Sequence, residues 1–426
     1  MLRKTCLQVS RFAPSSPSRL GFLQRWMSSS GTSSTKKRFV ALWGNGDFGR
    51  LGLGHLNSQW KPAICGAFHG DDDPTAISCG GAHTLFLTEE GRVYATGLND
   101  FGQLGIPSEK SHTVEPLGVP GIPNRVIQIS AGYRHSAAIT EDGGLYMWGN
   151  NSSGQLGLGR RADKIVSTPC RVECLVGFRI KMIVLGSEHS IAITDEGDAL
   201  SWGAGGSGRL GHGHQSSIFG LLRSSSEYTP RLIKDFEGAK IRKIAAGLLI
   251  SAFIDEQGSV FAFGERTMDR MVFGGAKNAT LPSLITELPF SREIACGGYH
   301  TCVVTSGGDL YSWGSNENGC LGLGCADIVR IPTRVEGPFL KFPVCEVSCG
   351  WKHTAAISCG NIFTWGWGGS HGTFSEDGYS SGGQLGHGND LDYFAPTEVS
   401  LGKNLEALQV SCGFNHTGAI FEYSES

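Results

Sequence analysis

Seven copies of one short motif constrain the fold of this chain more than any other feature. Glycine, two variable residues, histidine, then serine or threonine occurs at Gly80 to Thr84, Gly132 to Ser136, Gly186 to Ser190, Gly297 to Thr301, Gly350 to Thr354 and Gly413 to Thr417. Gly247 to Ser251 is a degenerate seventh copy, with Ile250 in the histidine place. Successive histidine positions lie 50 to 63 residues apart. A fixed period of that order marks a repeated supersecondary unit, too small to hide its own apolar face and stable only when stacked on its neighbours.

Each copy is followed by alternating apolar residues, an acidic-glycine turn, a second apolar run and an aromatic-glycine pair, as in Ala137 to Ile139, Glu141 to Gly144, Leu145 to Trp148 and then Gly149. Alternation at period two bounded by such turns predicts strand, hairpin, strand. The aromatic-glycine pair recurs at Trp43, Trp148, Trp202, Phe263, Trp313 and Trp365, with Thr96 as a weaker version. A glycine-rich loop containing Leu-Gly follows it in six units, from Gly49 to Gly54 through Gly383 to Gly388. Four strands of five or six residues with their connections need about 36 to 48 residues. That matches the period, whereas leucine-rich solenoids need about 20 to 29 residues and helical repeats a 3.6-residue periodicity. The expected fold is all-β: a seven-bladed β-propeller whose closed ring protects the sheet edges. The last unit stops short of its aromatic-glycine strand, while Phe39 to Trp43 begins the body with that strand alone, so the ring should close by pairing the N- and C-terminal strands.

Composition agrees. The chain has 426 residues and 63 glycines, about twice the usual share, which suits many tight turns. No run of 18 apolar residues is present, so no membrane span is expected. An odd count of 13 cysteines without Cys-x-x-Cys argues for reduced thiols rather than a disulfide framework. Cys79, Cys296, Cys349 and Cys412 each precede the motif glycine and read as small core hydrophobes.

Eight basic residues and many serines precede the first acid, Asp47. Residues 1–35 therefore read as a mitochondrial transit peptide and linker, with a chloroplast address as the alternative, and 38–426 as the propeller. Residues 1–27 hold five basic groups and no acids, so removing them takes the net charge from −3 to −8. Such a body repels phosphate on average, and RNA contact is expected to be indirect.

Gly-x-x-His-Thr, Trp-Gly-x-Asn and Gly-Gln-Leu-Gly-Leu-Gly in seven units resemble the regulator of chromosome condensation repeat, over residues 38–426. With its basic leader the chain looks most like the mitochondrial members of that family, especially a plant member linked to splicing of a group II intron in a respiratory complex I transcript. The resemblance implies a non-enzymatic adaptor with protein partners in the matrix. It also raises guanine-nucleotide exchange on a mitochondrial small GTPase, because Asp47 matches an acidic position that the founding nuclear member uses at its GTPase-binding face. Asp100 and Glu317 occupy the same slot in other units, although acids in exposed turns are also simply solvated. An ultraviolet-B-sensing relative gathers tryptophans at the second motif position, where this chain has only Trp351, so light sensing is not expected.

Catalytic chemistry finds little support. His83, His135, His189, His300, His353 and His416 fall one per unit and cannot converge on one ion, so they are expected to be buried and to hydrogen-bond the backbone of their own blade, alongside the structural tryptophans. His212, His214, His371 and His387 in glycine-rich loops are the only other zinc candidates. No Walker-type phosphate loop is present, and neither cofactor nor metal is expected. The long loop from His212 to Thr229, with Ile218, Phe219, Leu221, Leu222 and Arg223, is the other candidate partner site, since recognition concentrates on irregular loops of a rigid scaffold. The stretch Gly368 to Gly382 is lengthened as well, and the unit carrying Ile250 has also lost its Gly-x-Leu-Gly loop.

Overall fold

Period-two alternation buries every second side chain of a strand, and here the second strand of each unit is buried on both faces because it lies between two neighbouring blades. In the computed structural model the described residues are 37–68, 72–108, 110–213, 226–234, 236, 238–264, 279–369, 382–402 and 404–423. They form seven four-stranded antiparallel sheets arranged as a propeller ring.

Blade 1 is built from both ends of the chain. Its order is Gln59–Ile64, Lys37–Gly44, His416–Tyr423, Leu405–Cys412. Lys37–Gly44 runs in unbroken antiparallel register from Lys37 opposite Tyr423 to Gly44 opposite His416. The expected closure by terminal pairing is therefore found. Blade 2 follows as Pro74–Cys79, His83–Thr88, Val93–Leu98 and His112–Gly118, and blades 3 to 7 repeat that meander over 126–171, 180–232, 241–285, 291–334 and 344–398.

The inner strand, Leu405–Cys412 in blade 1 and the first strand in blades 2 to 7, lines the central channel, and the opposite edge strand lies outermost, with long apolar residues such as Ile165 and Ile331 half-exposed there. Cores lie between blades rather than within them: Leu85, Val93 and Leu104 of blade 2 pack against Ala138, Tyr146 and Trp148 of blade 3. The motif glycine is fixed by close approach, since a Cβ on Gly80 would meet the His83 ring at 2.5 Å. The glycine after the tryptophan sits in a bulge; Gly149 has φ +105°, which L side chains rarely adopt.

Candidate functional site

The motif histidines fasten each blade to the next. His83 Nε2 meets Ser136 Oγ at 2.9 Å, His135 meets Ser190 at 3.2 Å, His189 meets Ser251 at 3.0 Å, and His300 meets Thr354 at 2.9 Å. His353 meets Thr417 at 3.0 Å, and His416 closes the ring on Thr84 at 2.9 Å. This corrects the expectation that each histidine bonds the backbone of its own blade. The hydroxyl in every case belongs to the second strand of the following blade, which the imidazole reaches across the interface that its own strand makes with that blade's inner strand.

The protonation state follows from the partners. Each serine or threonine hydroxyl donates to a loop carbonyl, as Ser136 does to Gln103 O at 2.7 Å and Thr354 to Cys320 O at 2.8 Å. It must then accept from histidine, so the imidazole carries its proton on Nε2 and keeps an Nδ1 lone pair, and Nδ1 has no partner in any of the six. Burial drives the protonated form out, holding His83, His135 and His353 at about 3 and His300 at about 4. Tryptophan completes the joint: Trp148, Trp202 and Trp365 each donate Nε1 to a loop carbonyl of the preceding blade at 2.9 Å. Trp43 and Trp313 are buried at the equivalent places. These histidines and tryptophans are buried and serve the scaffold.

Chemistry open to a partner lies on the face where the motif loops and the Leu-Gly loops emerge. A shallow cavity of about 120 Å³ at the mouth of the channel is lined by motif residues of all seven blades. Trp351 stacks on Phe414 at 4.4 Å, Tyr133 lies 5.3 Å from Phe414, and Trp367 meets Trp351 edge-on at 5.8 Å. Cations flank these rings: Arg134 sits over Tyr133 and Phe101, and Lys352 over Trp351. Arg50 is buried beneath, bonded to Asp47 O and Gly81 O. Desolvation lowers it to about 10 against the opposing pull of Asp47.

The acidic slots share this face. The Asp47 carboxylate accepts from Asn45 Nδ2 at 3.0 Å, Asp100 accepts from Gln103 Nε2 at 2.9 Å, and Glu317 lies 3.5 Å from Lys352 Nζ. Beside Asp47, Phe48 is 43% exposed with φ +60°, a left-handed conformation that is uncommon for an aromatic residue. Sequence reasoning passed over the aromatic mouth because its rings come from motif positions 133, 351 and 414, far apart in the chain and variable between copies. Of the zinc candidates, His212 bonds Ser201 Oγ in blade 4 and His387 bonds Thr364 Oγ1 in blade 7, so the two stand in non-adjacent blades. Residues 1–35, His214, Ile218, Phe219, Leu221, Leu222, Arg223 and His371 lie outside the described residues.

Residues 39–419 match the RCC1-like domain. The ultraviolet-B receptor UVR8 of Arabidopsis thaliana is 32% identical over 376 residues, covering 87% of this chain and 78% of the receptor. The RCC1 domain-containing protein RUG3, mitochondrial, of Arabidopsis thaliana is 30% identical over 329 residues, covering 74% of this chain and 72% of the relative. Among solved structures, Prp20p from Saccharomyces cerevisiae superposes with a TM-score of 0.78 at 24% identity, over 92% of this chain and 93% of that one, and supports the fold.

Proposed function

The chain belongs to the RCC1-like domain family, and from that premise we propose that it is a non-enzymatic adaptor that binds protein partners in mitochondria. The observation that carries the reading is the mouth of the channel. There Tyr133, Trp351 and Phe414 form a partly exposed aromatic shelf, flanked by Arg134 and Lys352, on a ring held rigid by six histidine joints. Aromatic and arginine side chains on a preorganised surface are what protein interfaces use as anchors.

The mitochondrial address rests on the basic, serine-rich leader and on a relative whose name carries that location. Support for organellar intron splicing, with complex I biogenesis as its consequence, comes from the family resemblance. The acidic body makes indirect contact with RNA the natural mode.

The adaptor reading is tested by capture from mitochondria with the full chain and with a Tyr133→Ala, Trp351→Ala double variant. Partners should be retained by the first and lost by the second. Equal recovery would remove the aromatic mouth as the docking site. Exchange on a small GTPase is the second reading, favoured by Asp47 beside the exposed Phe48. Accelerated release of labelled GDP from a matrix GTPase, abolished in Asp47→Ala, would replace the adaptor as a complete account.

A further inference from the structure

The interface between blades 6 and 7 carries a pair of facing thiols that no other interface has at the same places. At every interface the residue two places after the motif histidine position meets the last residue of the next inner strand, and the two fill one small space. Leu85 lies with Ala131, Ala137 with Leu185, and Ala252 with Cys296. Between blades 6 and 7 both places hold thiols, Cys302 and Cys349. A ring nitrogen of His300, Cys302 Sγ and Cys349 Sγ all lie within 4.8 Å of one another, the one such group of three potential ligands found among the described residues.

The hydrogen-bond chain fixes what the histidine can offer. Thr354 spends its proton on Cys320 O and accepts from His300 Nε2, so the buried Nδ1 holds a free lone pair and has no donor. Cys302 is fully buried, whereas Cys349 is only partly so and lines the cavity at the mouth of the channel. Of the three, Cys349 alone borders the pore, the side from which an ion would enter.

We propose that His300, Cys302 and Cys349 form a binding site for one thiophilic d10 cation, Cu(I) or Zn(II), entered from the central pore. Two soft sulfurs and an imidazole select such ions over Mg²⁺ or Ca²⁺. Binding replaces two S–H bonds by two metal–thiolate bonds and releases two protons to solvent through the pore, so affinity rises with pH. A bound ion would add a further tie between blades 6 and 7 to the His300–Thr354 contact and to the bonds that Arg292 and the Gly298 N–H already make to Val344 O and Gly350 O.

The repeat supplies the controls. Alanine already stands in the Cys302 place at Ala137, Ala252 and Ala355, and in the Cys349 place at Ala131 and Ala246, so Cys302→Ala and Cys349→Ala should fold. The full chain, reduced and metal-free, is titrated anaerobically with Cu(I) from a competing chelator and, separately, with Zn(II). One cation is expected to retain one equivalent and raise Tm. Each alanine variant should weaken binding by more than the about 100-fold that loss of an outer-shell partner costs, while Cys412→Ala binds as the parent does. The site is refuted if neither cation binds stoichiometrically, or if Cys302→Ala binds like the parent. It is equally refuted if thiol counting of the metal-free, unreduced chain shows Cys302 and Cys349 consumed in a disulfide.

Discussion

A histidine that is buried, neutral and committed to a single donor makes folding depend on pH. The motif histidines sit at about 3 to 4 where a value is assigned, with His189 and His416 also well below the ordinary 6.5, and desolvation is the leading cause in each. As pH falls through 6.5 the unfolded chain takes up protons that the folded ring refuses, so stability starts to fall there and keeps falling until the folded values are reached. Each histidine adds up to about 1.4 kcal/mol per pH unit within that window. Glu346 pulls the other way: burial raises it from 4.5 to about 7, so the folded state holds one extra proton between those values. The six motif histidines outweigh it, and Tm measured at pH 7.5 should be far above Tm at pH 5.5. A flat profile would mean the histidines are not neutral and buried together. His135→Ala should cost about 2–4 kcal/mol, by removing the donor to Ser190 and opening a void, and should also flatten the profile by one proton.

At the scale of strands and blades, the joints predict where the ring gives first. Ile250 stands where a histidine would reach Thr301, so the interface between blades 5 and 6 lacks the contact found at the other six. Amide exchange should therefore lose protection earliest in Ile250–Asp255 and Ser291–Cys296, the strands facing each other across that seam. Earliest opening at the blade 2 to 3 seam would show that the joints do not set local stability. The strands themselves were legible in the sequence, since period-two alternation and the Trp-Gly bulge are local signals. The joints were not, because the partner of His83 is Ser136, 53 residues on. Their one local trace was the hydroxyl following every motif histidine, which fills the joint with the preceding blade and reads as a strand residue when taken alone. The aromatic mouth was hidden for the same reason: Trp351 and Phe414 meet only once the blades stand side by side. The acidic slot was legible because Asp47, Asp100 and Glu317 recur at one place in their loops.

Over the whole molecule, closure turns a linear array of repeats into one cooperative unit, and it depends on a single strand. Lys37–Gly44 lies between Gln59–Ile64 and His416–Tyr423, and it is the only link from the outer strand of blade 1 to the chain's C-terminal hairpin. A chain beginning after Leu51 would lose that strand and also Arg50 O, the carbonyl that accepts the Thr84 hydroxyl where His416 joins blade 1 to blade 2. The exposed edge of His416–Tyr423 would then offer unpaired backbone groups to other chains. Such a truncation should unfold in a broad or multistep transition and self-associate, whereas removal of residues 1–35 should leave a single sharp transition. Scanning calorimetry with light scattering separates the two. If the chain starting after Leu51 melted as sharply as the intact ring, the blades would have to be held by neighbour contacts alone, and the joint between His416 and Thr84 would have no special part in stability.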